Sequence, residues 1–459
     1  MTTTELTTEP PRADARVSTR RSGARPFRTE LLRGFAPWAG AALVAGHAWA
    51  LASMAPSWQG DWAQTTSTVG LIGVLLGGPL ALGAGCWQGG RERRRGTVEL
   101  RAASARSPLA QFGTAALPLA LWLAAGYALT VAAVFLATWP YAYRGGLPST
   151  LPLGTAGVIV ACSLLGHVLG ATAPWRLTAP VLALAAYGVF GVLLNDVSSD
   201  MVHALGPRPS FAPSRELIAW WSPPLTAVWF LALAATAVLA FTARRRWTVL
   251  VPLTVAVAMA CTLVQTVDAA TRPDPRRKHQ VCTSSRVPQI CVNATRAGLL
   301  PEVTEALTPL TGRLKGVRNL PTRFEDLPSR PRANEAELPD LLLGQEVVRG
   351  VLTDKEWFAR NAMQTLLAYD CPDSVPTTAA DEAVILWLAP SRLQDSMRAR
   401  FLSVARKQHD ARAVARLKAE DAAHDRLAAL SPGERRDWLS RYFATARDCG
   451  RTLEQVPAL

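Results

Sequence analysis

Two sets of residues in this 459-residue chain have the types and spacing to do chemistry. The first is basic. Arg91, Arg93, Arg94, Arg95, Arg101 and Arg106 fall between Gln88 and Leu109, a segment set between two long apolar runs. Guanidinium groups crowded into a short loop between membrane spans hold it on the cytoplasmic side. They also offer forked donors to acidic groups on a partner. Val98, Leu100 and Ala102–Ala103 put an apolar strip among the charges, and Ser107-Pro108 closes the segment. A short amphipathic element on the inner membrane surface fits that pattern. The second set is sulfur. Cys282, Cys291, Cys371 and Cys449 all follow the last apolar run, and four thiols in one polar region imply two disulfides and an oxidising compartment. Cys282 and Cys291 flank a short loop, while Cys371 and Cys449 end helical patterns. This favours the pairs 282–291 and 371–449, although four cysteines allow three pairings.

Other reactive groups are sparse. Cys86, Cys162 and Cys261 lie in apolar runs and read as small hydrophobes. His47 and His167 also lie in apolar runs, and Asn195-Asp196 ends a third. No second ionisable group shares their depth, so the expectation is a neutral histidine bonded to neighbouring backbone, with no proton relay. His279, His409 and His424 stand apart from the cysteines, which leaves no metal set. The chain lacks a P-loop, His-Glu-x-x-His, Gly-x-Ser-x-Gly and Ser-x-x-Lys. No enzyme activity and no cofactor are expected, and any ATP hydrolysis would belong to a separate subunit. Asn293-Ala294-Thr295 is a glycosylation sequon read as carrying no meaning.

The elements that must position these residues divide the chain in two. Residues 1–25 are rich in Thr, Pro and Arg without hydrophobic periodicity and read as a disordered basic cytoplasmic tail. Residues 26–268 form a transmembrane domain. Phe27, Leu31 and Leu32 share one side of a short interfacial helix at its start. Seven runs then reach bilayer length: 35–55, 67–87, 110–138, 152–172, 177–195, 224–242 and 247–267. Lys and Arg number seven before the first run, six in 88–109, one at Arg176 and three at Arg244–Arg246. The alternate loops hold only Arg144, Arg208 and Arg215. Seventeen against three places the N-terminus in the cytoplasm and, after an odd number of spans, residues 280–459 outside. Arg272, Arg276, Arg277 and Lys278 run against that rule, but long terminal domains cross largely regardless of charge. The net charge of +14 is therefore a topology signal with a basic outer domain, and no nucleic-acid partner is implied.

The outer domain reads as all-helical. Val303, Leu307, Leu310, Leu314 and Val317 recur at helical spacing. Thr353–Glu356 and Ser431–Glu434 read as capping boxes. Arg392 to Leu430 reads as one broken helix or two consecutive helices with a solvated face. The fold class is all-α: a polytopic bundle of about seven membrane helices followed by a mostly helical, disulfide-containing extracytoplasmic domain.

Gly90-Arg91-Glu92-Arg93-Arg94-Arg95-Gly96-Thr97-Val98-Glu99-Leu100, followed by Ala103-Ser104-Ala105-Arg106-Ser107, resembles the second-to-third helix loop of type-two ABC exporter permeases. Their pattern there is G-R-E-x-R-x-G-T-x-E-L. With the helix count, the resemblance extends over about residues 26–245. It implies that Arg91 to Leu100 form a coupling element docked on a separate ATP-binding subunit. It also implies an amphipathic helix before the first span, and short helices dipping back into the outer leaflet between Asn195 and Pro223. The working assembly would be a homo- or heterodimer of permease subunits in the cell membrane. The seventh span and the outer domain depart from the family, so a second reading stands beside it: a non-transporting anchor or sensor presenting an outer interaction domain. Residues 280–459 also resemble a domain appended to many actinobacterial membrane proteins, on Ile290-Cys291-Val292, Trp387-Leu388 and Trp438-Leu439. No activity comes with that likeness.

Overall fold

Long apolar stretches can satisfy their own backbone polar groups in lipid only as helices, and this governs the first 265 residues. The computed structural model describes residues 21–459 except 97–98, 100–105, 144–149, 174, 196–203, 208–215, 285–287, 330, 333, 368–377 and 449–450. Six helical stretches there are long and apolar enough to cross a bilayer: Phe27–Ser53, Trp62–Arg95, Pro108–Tyr141, Leu151–Thr172, Ser222–Thr242 and Arg246–Gln265. Thr178–Leu194 is a seventh apolar helix, but a shorter one. The chain is a mostly helical membrane protein.

In chain order the membrane part comprises α1 (Arg21–Arg33), α2 (Ala36–Ser53), α3 (Trp62–Ile72), α4 (Gly78–Gly89), α5 (Arg91–Arg95), α6 (Pro108–Thr138), α7 (Leu151–Thr172), α8 (Thr178–Asn195), α9 (Ser222–Thr242) and α10 (Leu250–Gln265). α1 begins inside the stretch expected to be tail. α3 starts five residues before the expected span, because the buried Asp61 caps it by accepting from the Ala63 amide at 2.8 Å. Between α3 and α4 lies a π turn, Gly73–Gly77, in which the Gly78 amide donates back to the Gly73 carbonyl. Pro79 then removes the next donor, a combination that bends helices.

The tightest packing joins α4 to α7. A Cβ added to Gly85 or Gly89 would lie 2.2 and 2.1 Å from the Ser163 and His167 carbonyl oxygens. One added to Gly166 or Gly170 would lie 2.1 and 2.0 Å from those of Leu82 and Cys86. Two facing small-xxx-small pairs thus bring the backbones into contact, which is how membrane helices associate without a hydrophobic driving force between them.

The sequence-based expectation for residues 280–459 fails in one respect: they are not all-helical. β1 (Glu216–Ile218) pairs antiparallel with β2 (Thr271–Pro273), tying the loop before α9 to the segment after α10. Most of the stretch where re-entrant helices were expected lies outside the described residues; within it Ala204 and Leu205 are helical and Glu216–Ile218 is a strand. β3 (Gln280–Cys282), β4 (Gln289–Asn293), β5 (Arg323–Glu325) and β6 (Glu335–Glu337) form a mixed sheet in that order, antiparallel at β3–β4 and parallel thereafter. β7 (Val347–Val348) and β8 (Val351–Leu352) form a hairpin. Strands of two to five residues are too short to show an alternating pattern, and β4 buries Ile290, Cys291 and Val292 in succession.

The sheet packs under α11 (Leu300–Arg313), α12 (Lys355–Leu367), α13 (Ala379–Leu388) and α16 (Pro432–Thr445). The expected periodic positions Val303, Leu307, Leu310 and Leu314 are buried there. α14 (Arg392–Lys407) and α15 (Ala411–Ala429) are the two consecutive helices expected, separated by His409 at φ 55°. The Ser431–Glu434 capping box forms. The other does not, because Asp354 caps α12 while the Thr353 hydroxyl donates to Gln345 O. An unforeseen box forms at Thr378–Asp381.

Cys282 and Cys291 face each other across the β3–β4 register and are disulfide-bonded, as expected. Cys371 and Cys449 lie outside the described residues. Cys86 and Cys162 are free and buried, and Cys261 is free and exposed. Closing so short a loop stabilises by about 2–3 kcal/mol in the chain-entropy model. Cys282→Ser/Cys291→Ser is therefore expected to lower the melting temperature of the purified chain, measured by scanning fluorimetry without reductant. An unchanged melting temperature would mean the bond contributes nothing.

Candidate functional site

The arginine segment is built onto one end of the bundle, where Arg91, Arg93 and Arg94 bond within the chain. Arg91 Nη1 donates to both Glu30 carboxylate oxygens, at 2.8 and 2.9 Å, joining α5 to α1. α1 is fixed in turn by the Trp122 indole, which donates to Leu31 O at 2.6 Å. Arg93 Nη1 donates to Thr172 O at 3.0 Å, where the last carbonyls of α7 need donors. Arg94 lies 4.1 Å from the Trp87 ring centroid and also donates to Trp87 O. Gly96, at φ 65°, ends α5 in the left-handed conformation that glycine adopts without strain. Arg95 and Glu99 are left exposed, and Glu92 is half-buried. Arg93 and Arg94, expected to face a partner, are thus engaged by α7 and α4. Thr97, Val98 and Leu100, and with them the expected apolar strip, lie outside the described residues.

The α4–α7 glycine contact ends at Gly89 and Gly170, immediately before Arg91 and Thr172. The arginine end is therefore held on closely packed backbone, and it presents a basic ledge. Among the described residues no group of three or more His, Cys, Asp or Glu is placed to hold a metal.

At the opposite end the outer unit sits on the bundle through the β7–β8 hairpin. Its two turn residues, Arg349 and Gly350, have φ of 54° and 77°, as tight hairpin turns require. Arg349 Nε donates to Gln59 Oε1 at 2.7 Å, and its guanidinium lies 5.3 Å from the Tyr141 ring centroid. Gly350 approaches so closely that a Cβ would come within 2.9 Å of Tyr141 O. Tyr143 donates its amide to Gly60 O at 2.9 Å and packs against the outer core. Sequence reasoning missed this junction, although Val-Val-Arg-Gly-Val-Leu is a readable two-residue hairpin.

Inside the bundle, the His47 ring faces the Ile72 backbone, the kind of neighbour expected for it, although neither ring nitrogen makes a hydrogen bond of good geometry. The ring instead meets Tyr127 edge-on at 5.9 Å, and Gly77 of the π turn lies beside it. His167 meets Phe112 edge-on at 4.9 Å. The sequon residue Asn293 is buried and structural: its side-chain amide donates to Arg277 O and Asp326 O, and its oxygen accepts from Thr295.

Two ion clusters lie in the outer unit. Arg398 bridges Glu420, Asp421 and Glu382 at 2.7, 2.8 and 3.4 Å. On the sheet, β5–β6 pairing sets Glu325 opposite Glu337. Burial, then the neighbouring Glu335 and Glu337 carboxylates, push the Glu325 carboxyl up to about 7 against the opposing pull of Arg323 and Gln280. A carboxyl raised above its unfolded value binds its proton more tightly when folded. Its contribution is thus complete at low pH and lost as pH rises from the ordinary carboxyl range through about 7. The loss is on the order of 2–3 kcal/mol. Glu325→Gln should flatten the wild type's decline in melting temperature between pH 5 and 8, and raise it most at pH 8. Parallel pH profiles for the two proteins would contradict this.

Compared with family models, curated proteins and solved structures, the chain matches none, so the arginine ledge and its supports stand on their own geometry.

Proposed function

We propose that the chain is the permease subunit of a type-two ABC exporter, working with a separate ATP-binding subunit that docks on α5 and the residues after it. One observation carries this reading. A basic element is locked to three different membrane helices while Arg95 and Glu99 remain free to meet a partner. A force applied there reaches α1, α4 and α7 together. A merely topogenic loop would need no such bracing.

The N-terminus and α5 lie in the cytoplasm in this reading, and residues 280–459 lie outside. The segregation of α5 and the outer unit at opposite bundle ends supports that arrangement. Seven crossings are supported by α8, which leaves the arginine end. Pro207 beyond it lines a cavity of about 20 Å³ with Leu151 and Ser222 at the far end. The excess charge after α10 is partly neutralised, since Arg276 is held by the buried Asp274. Assembly as a homo- or heterodimer in the cell membrane follows from the same reading. The outer unit's own core, and the hairpin that braces it on the bundle, favour the second reading, a non-transporting anchor or sensor.

The test is co-expression with the ATP-binding subunit and recovery of the pair from membranes. Arg95→Glu/Glu99→Arg is expected to lose the ATP-binding subunit, and the ATP hydrolysis that copurifies with it, by tenfold or more. Membrane insertion should be unchanged, because the remaining basic residues still set topology. Equal recovery from both proteins would favour the anchor.

A further inference from the structure

We propose that α14 is a membrane-surface helix, whose outward apolar stripe rests on the anionic phospholipid of the bilayer that the chain itself spans. Leu393, Met397, Phe401 and Val404 are 43, 47, 48 and 46 % exposed. At 100° per residue they fall within an arc of roughly 80° and form one continuous stripe. The stripe cannot turn inward. Arg398 on the inner face is pinned by Glu382, Glu420 and Asp421, with Ala405 buried on the same side. The apolar side chains are thus held away from the unit's core by ion pairs. Arg400 and Lys407 border the stripe along one edge, and Asp395 is the one acidic residue on the helix. A basic edge beside an apolar stripe is the composition of helices that lie in the head-group region of anionic membranes.

The size and charge of the stripe also disfavour a second copy as the occupant. Four half-exposed side chains offer a patch of a few hundred Å², against ~800 Å² per partner in a stable interface. A self-complementary contact would in addition set the same basic edge against itself. A bilayer needs no such area, because the membrane helices keep the unit beside it at high effective concentration. The inference requires only that the chain is anchored in a membrane. It holds on either side of that membrane and does not depend on transport.

The experiment uses the full chain with a dansyl-bearing amino acid in place of Phe401, reconstituted into phosphatidylcholine vesicles with or without one-third phosphatidylglycerol. With phosphatidylglycerol the emission should shift to the blue and be quenched by lipids brominated on their acyl chains. In phosphatidylcholine alone, and after Arg400→Glu/Lys407→Glu, shift and quenching should be lost. The same probe at Ala399, exposed on the side of the helix away from the stripe, should show neither. A blue shift without bromolipid quenching would mean protein covers the stripe and overturns the proposal. Emission at 401 matching that at 399 overturns it as a solvated face. Equal quenching in both lipids overturns the anionic assignment.

Discussion

Asp381→Ala is expected to unfold the outer unit's helical layer, at a loss of about 3–5 kcal/mol. The carboxylate is buried and accepts five hydrogen bonds from four donor atoms. Arg451 Nη2 reaches both oxygens at 2.7 and 2.8 Å, the Tyr442 hydroxyl donates at 2.5 Å, and the Thr378 amide and hydroxyl donate at 2.7 and 2.9 Å. Burial opposes ionisation of Asp381, but the bonds from Arg451 and Tyr442 outweigh it and hold the carboxyl below its ordinary range. Removing it strands a buried guanidinium and a buried phenol, and also removes the Asp381 half of the capping box of α13. Asp381→Asn keeps part of the hydrogen bonding without the charge and should fall between the two. Thermal unfolding of the purified proteins measures the order. Wild-type stability in Asp381→Ala would show the network to be dispensable.

Gly170→Val should have a comparable effect on the membrane part, about 3 kcal/mol or loss of the folded bundle. A Cβ at 170 would stand 2.0 Å from the Cys86 carbonyl oxygen, a backbone atom that cannot rotate away. Separating α7 from α4 would also withdraw Thr172 from Arg93, so the arginine ledge loosens together with the bundle. Gly188→Val on α8 is the control, since a Cβ there meets nothing within 4 Å. Size-exclusion profiles and melting temperatures in one detergent compare them. Equal behaviour of the two variants would refute close backbone contact as the determinant.

The long-range plan was legible in the sequence because hydropathy is a per-residue property. Six apolar stretches emerge as long helices, and α8 is the short one. Cys282 and Cys291 were legible because nine residues leave little freedom in where a bridge can close. What escaped depends on partners distant in sequence. Gly85/Gly89 and Gly166/Gly170 are two readable G-x-x-x-G pairs, but nothing local says that they face each other. Arg93 and Arg94 look like free charges until the ends of α7 and α4 are brought beside them. The sheet strands were hidden by their shortness. The Arg349–Gln59 contact spans 290 residues, and no local pattern carries that information.

The claim that the arginine ledge binds an ATP-binding subunit is tested most directly by site-specific photocrosslinking in intact cells that express both proteins. A benzophenone amino acid is placed at position 95, and in a separate protein at position 349, at the other end of the bundle. The expected result is an adduct from position 95 that contains the ATP-binding subunit, together with no such adduct from position 349. An adduct confined to position 349, or none from 95 in correctly inserted protein, would contradict the assignment of the ledge as the coupling surface.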